Sequence, residues 1–245
     1  MFCNNCGAQL PDDAKFCTSC GYNLAGLGAP GGGPSASPPG GFAIPPPPGG
    51  GAFVPPARVE VRTGEWISQA WQIVQGDWLN LGLITMVLVV ISSVVPIILQ
   101  GPMLAGLHVV CIKRISGRPA DFNDFFKGFN YFVPTLVATI LISIFITIGT
   151  LLCIIPGLVV AAMYFFTYLF IVDKKMDFWP AMQASHAIVK TNYFGFTMLL
   201  VVFILIHLLG VLACLVGLLL TIPLQYVAIT IAYKEIVGFT PGSVE

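Results

Sequence analysis

Three stretches of this chain contain no Asp, Glu, Lys or Arg: Trp78–Ile112, Tyr131–Val172 and Tyr193–Tyr233, of 35, 42 and 41 residues. A helix of about 20 apolar residues crosses a bilayer core, because a helix satisfies its own backbone hydrogen bonds where water is absent. The second and third stretches therefore hold two helices each. The first leaves about 17 residues per helix, at the lower limit for spanning. A shallow re-entrant hairpin, sheltered by protein, is the alternative there. Charged residues make up only 9% of the chain and hydrophobic ones 56%, against about 25% charged in a soluble domain. Net charge is zero, with no basic block, so nucleic acid is not expected as a partner.

The stretches resemble one another. "QGDWLNL" (75–81), "KGFNYFVP" (127–134) and "KTNYFGF" (190–196) each open an apolar run. Each run is broken by proline, at Pro96 and Pro102, at Pro156 and at Pro223, and each ends on charge. The ends "IKRISGRP" (112–119) and "YKEIVGFTP" (233–241) also echo each other. Such internal repetition indicates one supersecondary unit used several times. The expected fold is an all-α polytopic membrane protein of three helical hairpins and about six spans. Four full spans plus one shallow hairpin is the alternative.

An amphipathic helix precedes each hairpin. Trp66, Ile67, Ala70, Trp71 and Val74 share one helical face, as do Phe122, Phe125, Phe126 and Phe129. Phe178, Met182, Ser185, Ile188 and Val189 form a weaker stripe. Aromatic side chains on such faces suit the headgroup boundary, so these helices are expected to be interfacial; packing against protein is the other reading. All 11 Lys/Arg and all 11 Asp/Glu fall outside the hairpin tips. The positive-inside rule then puts both termini and both connecting loops in the cytoplasm of a multi-pass protein of the cell (inner) membrane.

At the front of the chain, Cys3, Cys6, Cys17 and Cys20 form C-x2-C-x10-C-x2-C, inside the echo "FCNNCGAQL" and "FCTSCGYNL". A two-residue gap lets one tight turn present two thiolates to one tetrahedral zinc ion. Disulfides are the alternative. Met1 runs straight into the first knuckle without the charged and apolar regions of a signal peptide. A reducing compartment is therefore expected, and it favours metal. Four thiolates close the shell, so a single zinc would be structural rather than catalytic. Residues 2–24 resemble the short zinc ribbons at the N-termini of many bacterial proteins.

Residues 25–57 contain ten glycines and ten prolines, which exclude helix and sheet core. The expected organisation is a zinc ribbon at 1–24 and a flexible Pro/Gly-rich linker at 25–63. A membrane domain at 64–238 and a short cytoplasmic tail at 239–245 follow.

Polar residues inside a bilayer default to functional suspicion. His108, His207, Gln100 and Gln225 are the candidates for an intramembrane polar site, with a packing role preferred for either histidine. Without an intramembrane Asp, Glu, Lys or Arg, an ion-coupled relay is not expected. No G-x-S-x-G, H-E-x-x-H, P-loop or Rossmann triplet occurs. His186 lies near Asp173 and Asp177 in sequence, a weak acid–base pairing, and no catalytic residue is expected.

The stretch 154–196 joins Pro156-Gly157, an aromatic-rich helix, Asp173, Ala181, Ser185 and Lys190. It resembles a family of multi-pass bacterial membrane domains, some of which precede the catalytic barrel of glycerophosphodiester phosphodiesterases. The likeness runs over about 64–238 and includes Pro223. This sequence holds no such barrel, so the resemblance implies a membrane domain without that activity. The expected function is a membrane adaptor or lipid-sensing scaffold whose ribbon recruits a cytoplasmic protein partner. A transporter of a lipid or neutral small molecule, regulated by the ribbon, is the alternative.

Overall fold

The computed structural model describes Phe53, Pro55, Pro56 and residues 58–94, 97–212 and 217–244. Among the described residues every regular element is helical. In order these are α1 (Thr63–Gly76), α2 (Trp78–Val94), α3 (Gln100–Ile115), α4 (Phe122–Phe126) and a 3-10 turn (Lys127–Tyr131). α5 (Phe132–Leu152), α6 (Ile154–Met163), α7 (Thr167–Asp173), α8 (Phe178–Lys190), α9 (Tyr193–Leu212) and α10 (Leu218–Ile236) follow. The threefold pattern of the sequence is visible in this order. α1, α4 and α8 each lead into a pair that packs together: α2 with α3, α5 with α6, and α9 with α10.

The echo between the ends of the first and third stretches has a backbone cause. Gly117 and Gly238 have φ of 72° and 78°, a left-handed conformation that favours glycine at the residue after a helix. Each closes its helix: the Gly117 N–H donates to Arg114 O (3.0 Å), and the Gly238 N–H to Lys234 O (3.1 Å).

Three helical segments are long and apolar enough to cross a bilayer: Phe122–Leu152, Ile154–Asp173 and Tyr193–Leu212. α1 and α2, bent by 98° at their junction, add a fourth if counted as one broken span. That is short of the six expected from sequence. α2 and α3 have only 17 and 16 residues, below the usual 20. α3 nevertheless forms the centre of the bundle, with every residue from Gly101 to Ile112 buried. It packs against α2, α4, the 3-10 turn, α5, α7 and α10, and so needs no lipid contact of its own. Apolar exposure is concentrated elsewhere: Leu151 at the end of α5 is 88% exposed, and Leu209 on α9 is 66% exposed. Water does not tolerate such contiguous apolar surface, and lipid does.

The expectation of three interfacial helices needs correction for α1. Of its stripe, Trp66, Ala70 and Val74 are buried, Ile67 is half-buried and Trp71 is exposed, and α1 packs along α10. The Trp66 indole N–H donates to Glu235 Oε2 at 2.6 Å. A hydrophobic stripe states that a face is covered without stating what covers it, and here the cover is protein. On α4 the faces divide. Phe125 is buried, while Phe122, Phe126 and the following Phe129 are exposed and touch ring to ring. Within the segment expected as linker, Val59 is buried, Phe53 packs edge-on against Phe170, and Asn192 Nδ2 donates to Val59 O at 3.2 Å. This end of the segment is packed rather than free.

Close helix approach rests on Gly106 and Gly128. A Cβ on Gly106 would overlap the Phe125 carbonyl, and one on Gly128 would overlap the backbone of Gly106 and Pro102. Gly106→Val is expected to cost about 3 kcal/mol, which lowers the thermal midpoint by roughly 6–12 °C. Gly82→Ala, with nothing within 4 Å of the new methyl, is expected to stay within about 0.5 kcal/mol of wild type. Thermal unfolding of the two variants in one detergent checks the contrast.

Candidate functional site

Cys3, Cys6, Cys17 and Cys20 lie outside the described residues, as does Cys214. Four thiols in two C-x2-C pairs are one of the donor sets that suit tetrahedral structural zinc. Among the described residues no group of three or more His, Cys, Asp or Glu is placed to hold a metal. Cys111 and Cys153 are free thiols, buried and exposed respectively.

A cavity of about 210 Å³ lies between α3, α5, α6–α7 and α10. Gln100, His108 and Gln225 line it together with Thr139, Ser143, Tyr168 and Tyr226, among apolar neighbours. Three of the four residues singled out in the sequence are thus brought to one place. His207 is absent from that lining; its Nδ1–H donates to Phe203 O at 2.6 Å, one turn back on its own helix.

Hydrogen bonding fixes how His108 presents itself. The Thr230 hydroxyl donates its one proton to Tyr226 O at 2.7 Å. Its oxygen therefore accepts from His108 Nδ1–H, 3.1 Å away. A neutral imidazole protonated on Nδ1 has Nε2 as an acceptor. By the same count, Thr139 donates to Thr135 O at 2.7 Å, so the Tyr168 hydroxyl donates to Thr139 Oγ1 at 2.9 Å. Gln100 is exposed, and Gln225 is partly buried. No Asp, Glu, Lys or Arg lines the cavity.

The helix wall beside the cavity is broken at Tyr164–Phe166, between α6 and α7. Ser185 on α8 repairs the break: the Phe166 N–H donates to Ser185 Oγ at 3.1 Å, and that hydroxyl donates to Met163 O at 2.7 Å. Both backbone groups would otherwise be unpaired in an apolar interior. No proline or glycine in "MYFF" (163–166) signals this break; the sequence signal was Ser185 itself, a lone hydroxyl on an apolar stripe. Ser185→Ala is expected to cost about 1–3 kcal/mol and to lower the thermal midpoint by several degrees, read by differential scanning fluorimetry.

Asp173 ends α7 with its side chain fully buried. It accepts from the Tyr233 hydroxyl (3.1 Å), the Thr240 N–H (2.9 Å) and the Thr240 hydroxyl (3.3 Å). Lys174 Nζ lies 3.3 Å from the same carboxylate and donates to Thr240 Oγ1 at 2.9 Å. Asp177 caps α8 through the Phe178 N–H at 2.8 Å. His186 Nε2 meets the Tyr193 hydroxyl at 2.9 Å. Both carboxylates considered as partners for His186 are therefore engaged structurally. A further polar group ties the ends of α1, α3 and α4 together. In it Asp124 pairs with Lys113 (2.7 Å) and Lys127 (3.1 Å), and Arg114 pairs with Asp77.

Residues 2–24 match the zinc-ribbon domain family, so the chain joins a zinc-binding ribbon to a bundle containing membrane-capable helices. It is also similar to uncharacterised proteins of Mycobacterium bovis and Mycobacterium tuberculosis. Each is 31% identical over 134 residues, covering 55% of this chain and 41% of the mycobacterial one. The chain thus matches about two-fifths of the length of these relatives. No solved structure matches it.

Proposed function

We propose that this protein is a membrane-anchored adaptor: a helical domain holds a zinc ribbon at the cytoplasmic face of the cell membrane, where the ribbon recruits a protein partner. One observation carries the reading, the zinc-ribbon match at residues 2–24 in a chain whose remainder is dominated by apolar helices. One zinc ion would be held by Cys3, Cys6, Cys17 and Cys20; its shell of four thiolates has no open position, so it supplies fold rather than chemistry. Both termini and the charged ends of the helices would face the cytoplasm, in keeping with the absence of Lys and Arg from the hairpin tips. Six spans would be completed by α2, α3 and α10 alongside the longer helices. A tether between ribbon and anchor raises the local concentration of a bound partner. No catalytic residue is assigned, and the phosphodiesterase resemblance contributes no activity.

The test is co-purification from native membranes, comparing the intact chain with one lacking residues 1–24. A protein recovered only with the intact chain supports the adaptor. Equal recovery of every companion protein argues against it.

A second reading, transport of a lipid or neutral small molecule, is favoured by the cavity that gathers Gln100, His108 and Gln225. Transport requires flux in proteoliposomes that is abolished by His108→Leu and only modulated by Cys3→Ser. An adaptor shows the reverse weighting in partner recovery.

A further inference from the structure

We propose that the cavity between α3, α5, α6–α7 and α10 binds an uncharged, hydroxyl-bearing group of the kind found on a neutral glycerolipid; this rests on the second reading above.

The lining excludes charge. An ionised phosphate or ammonium would lose its hydration among side chains with no opposite charge to replace it. A purely apolar occupant is disfavoured, because it would leave the polar edges of the buried His108 and part-buried Gln225 without partners. His108 is almost wholly buried with Nδ1–H already donated, so its Nε2 is available only as an acceptor. The carboxamides of Gln100 and Gln225 each combine donors with an acceptor, as does the hydroxyl of Ser143. A hydroxyl group also both donates and accepts. A diol can therefore bridge the imidazole and the amides in a way that an ester carbonyl or an ether cannot.

Size points to a headgroup. At about 210 Å³ the cavity is below the ~300–1,000 Å³ of sites that enclose a whole drug-sized ligand. It admits a glycerol-sized group and leaves the rest of a larger molecule outside. Gln100, the exposed member of the lining, marks where the occupant would emerge. Ile142, Ile146 and Ile229 among the walls suit the first carbons beyond the polar group. Tyr164 and Phe165 also line the cavity, at the break that Ser185 stabilises, so the irregular backbone there is sheltered by protein as depth in a membrane requires.

The same chemistry is presented by a free polyol, and the experiment separates the two sources. Full-length protein is reconstituted in phosphatidylcholine nanodiscs, whose headgroup carries no hydroxyl, containing a few mole per cent monooleoylglycerol, a diol, or the same amount of oleoyl lysophosphatidic acid. Retained lipid is measured by native mass spectrometry. Retention of monooleoylglycerol well above lysophosphatidic acid is expected. Gln100→Leu with Gln225→Leu, which keeps bulk and adds apolar surface, should lower that retention by roughly tenfold. Displacement of monooleoylglycerol by millimolar glycerol would assign the site to free polyols. No displacement assigns it to the lipid. Equal retention of the two lipids, or retention unchanged in the double variant, overturns the proposal. The readout is binding alone, so binding without flux in proteoliposomes refutes transport and leaves the site standing. Melting of the double variant at the wild-type temperature shows that lost retention is not lost fold.

Discussion

Replacing Cys3 and Cys6 by serine is expected to remove zinc from the ribbon while the helical domain keeps its wild-type yield and thermal midpoint. The size of the effect follows from the chemistry of such sites. Structural zinc contributes about 10–16 kcal/mol to the folding of small zinc-finger peptides near neutral pH, and a 23-residue ribbon has little core with which to replace it. Two lost thiolates leave at most two sulfur ligands. Zinc measured by plasma mass spectrometry on protein purified reduced should fall from about one per chain to background. Thiolates must be deprotonated to bind, so acidification of the wild-type protein should release the metal reversibly. Zinc retained at wild-type level in the double variant would mean that the metal is held elsewhere. The described helices give no group of three or more His, Cys, Asp or Glu to hold it.

The second large effect is expected at Asp173. Its carboxylate gathers Tyr233, Thr240 and Lys174 at the end of α7, and so ties α7 to α10 and to the segment after Gly238. Asp173→Ala leaves the buried Tyr233 hydroxyl and the Thr240 N–H without this acceptor, while the part-exposed Lys174 keeps its bonds to Gly238 O and Thr240 Oγ1. Each unsatisfied buried donor typically costs about 1–3 kcal/mol, which for the two corresponds to a fall of roughly 4–24 °C in the thermal midpoint. Asp173→Asn keeps the shape and one acceptor oxygen and should lose less. Asp177→Ala, which removes only the cap on α8, should cost about 1 kcal/mol. An Asp173→Ala midpoint no lower than that of Asp177→Ala would remove Asp173 from its place as the tie.

Much of this organisation was legible in the sequence because it depends on local rules. The hairpin order followed from charge-free runs and their breaks. The helices end at Val94, Leu152 and Leu212, and the next ones begin at Gln100, Ile154 and Leu218. The echo between 112–119 and 233–241 reflected two helices closed by left-handed glycines. What stayed hidden depends on contacts distant in sequence. His108 and His207 look alike as single polar residues in apolar runs. One reaches across to Thr230 on another helix, and the other bonds back to its own Phe203. The stripe of α1 gave part of its buried face, Trp66, Ala70 and Val74 but not Trp71, and not its partner α10, because Glu235 lies 169 residues from Trp66. The break between α6 and α7 had no breaker residue to announce it; its repair comes from Ser185, on a different helix. The first hairpin sat at the short limit by apolar length, and the sequence did not show that α3 gains its burial from the helices around it.

Recruitment by the ribbon is tested most directly by crosslinking from it in living cells. A photo-crosslinking amino acid at Asn4 or Thr18, each lying within a C-x2-C pair, is activated in the intact chain and in the Cys3→Ser, Cys6→Ser form. A discrete adduct with one cytoplasmic protein, lost when the cysteines are changed, is the expected result. Adducts that are absent, or the same with and without the cysteines, would contradict a recruiting role for the zinc ribbon.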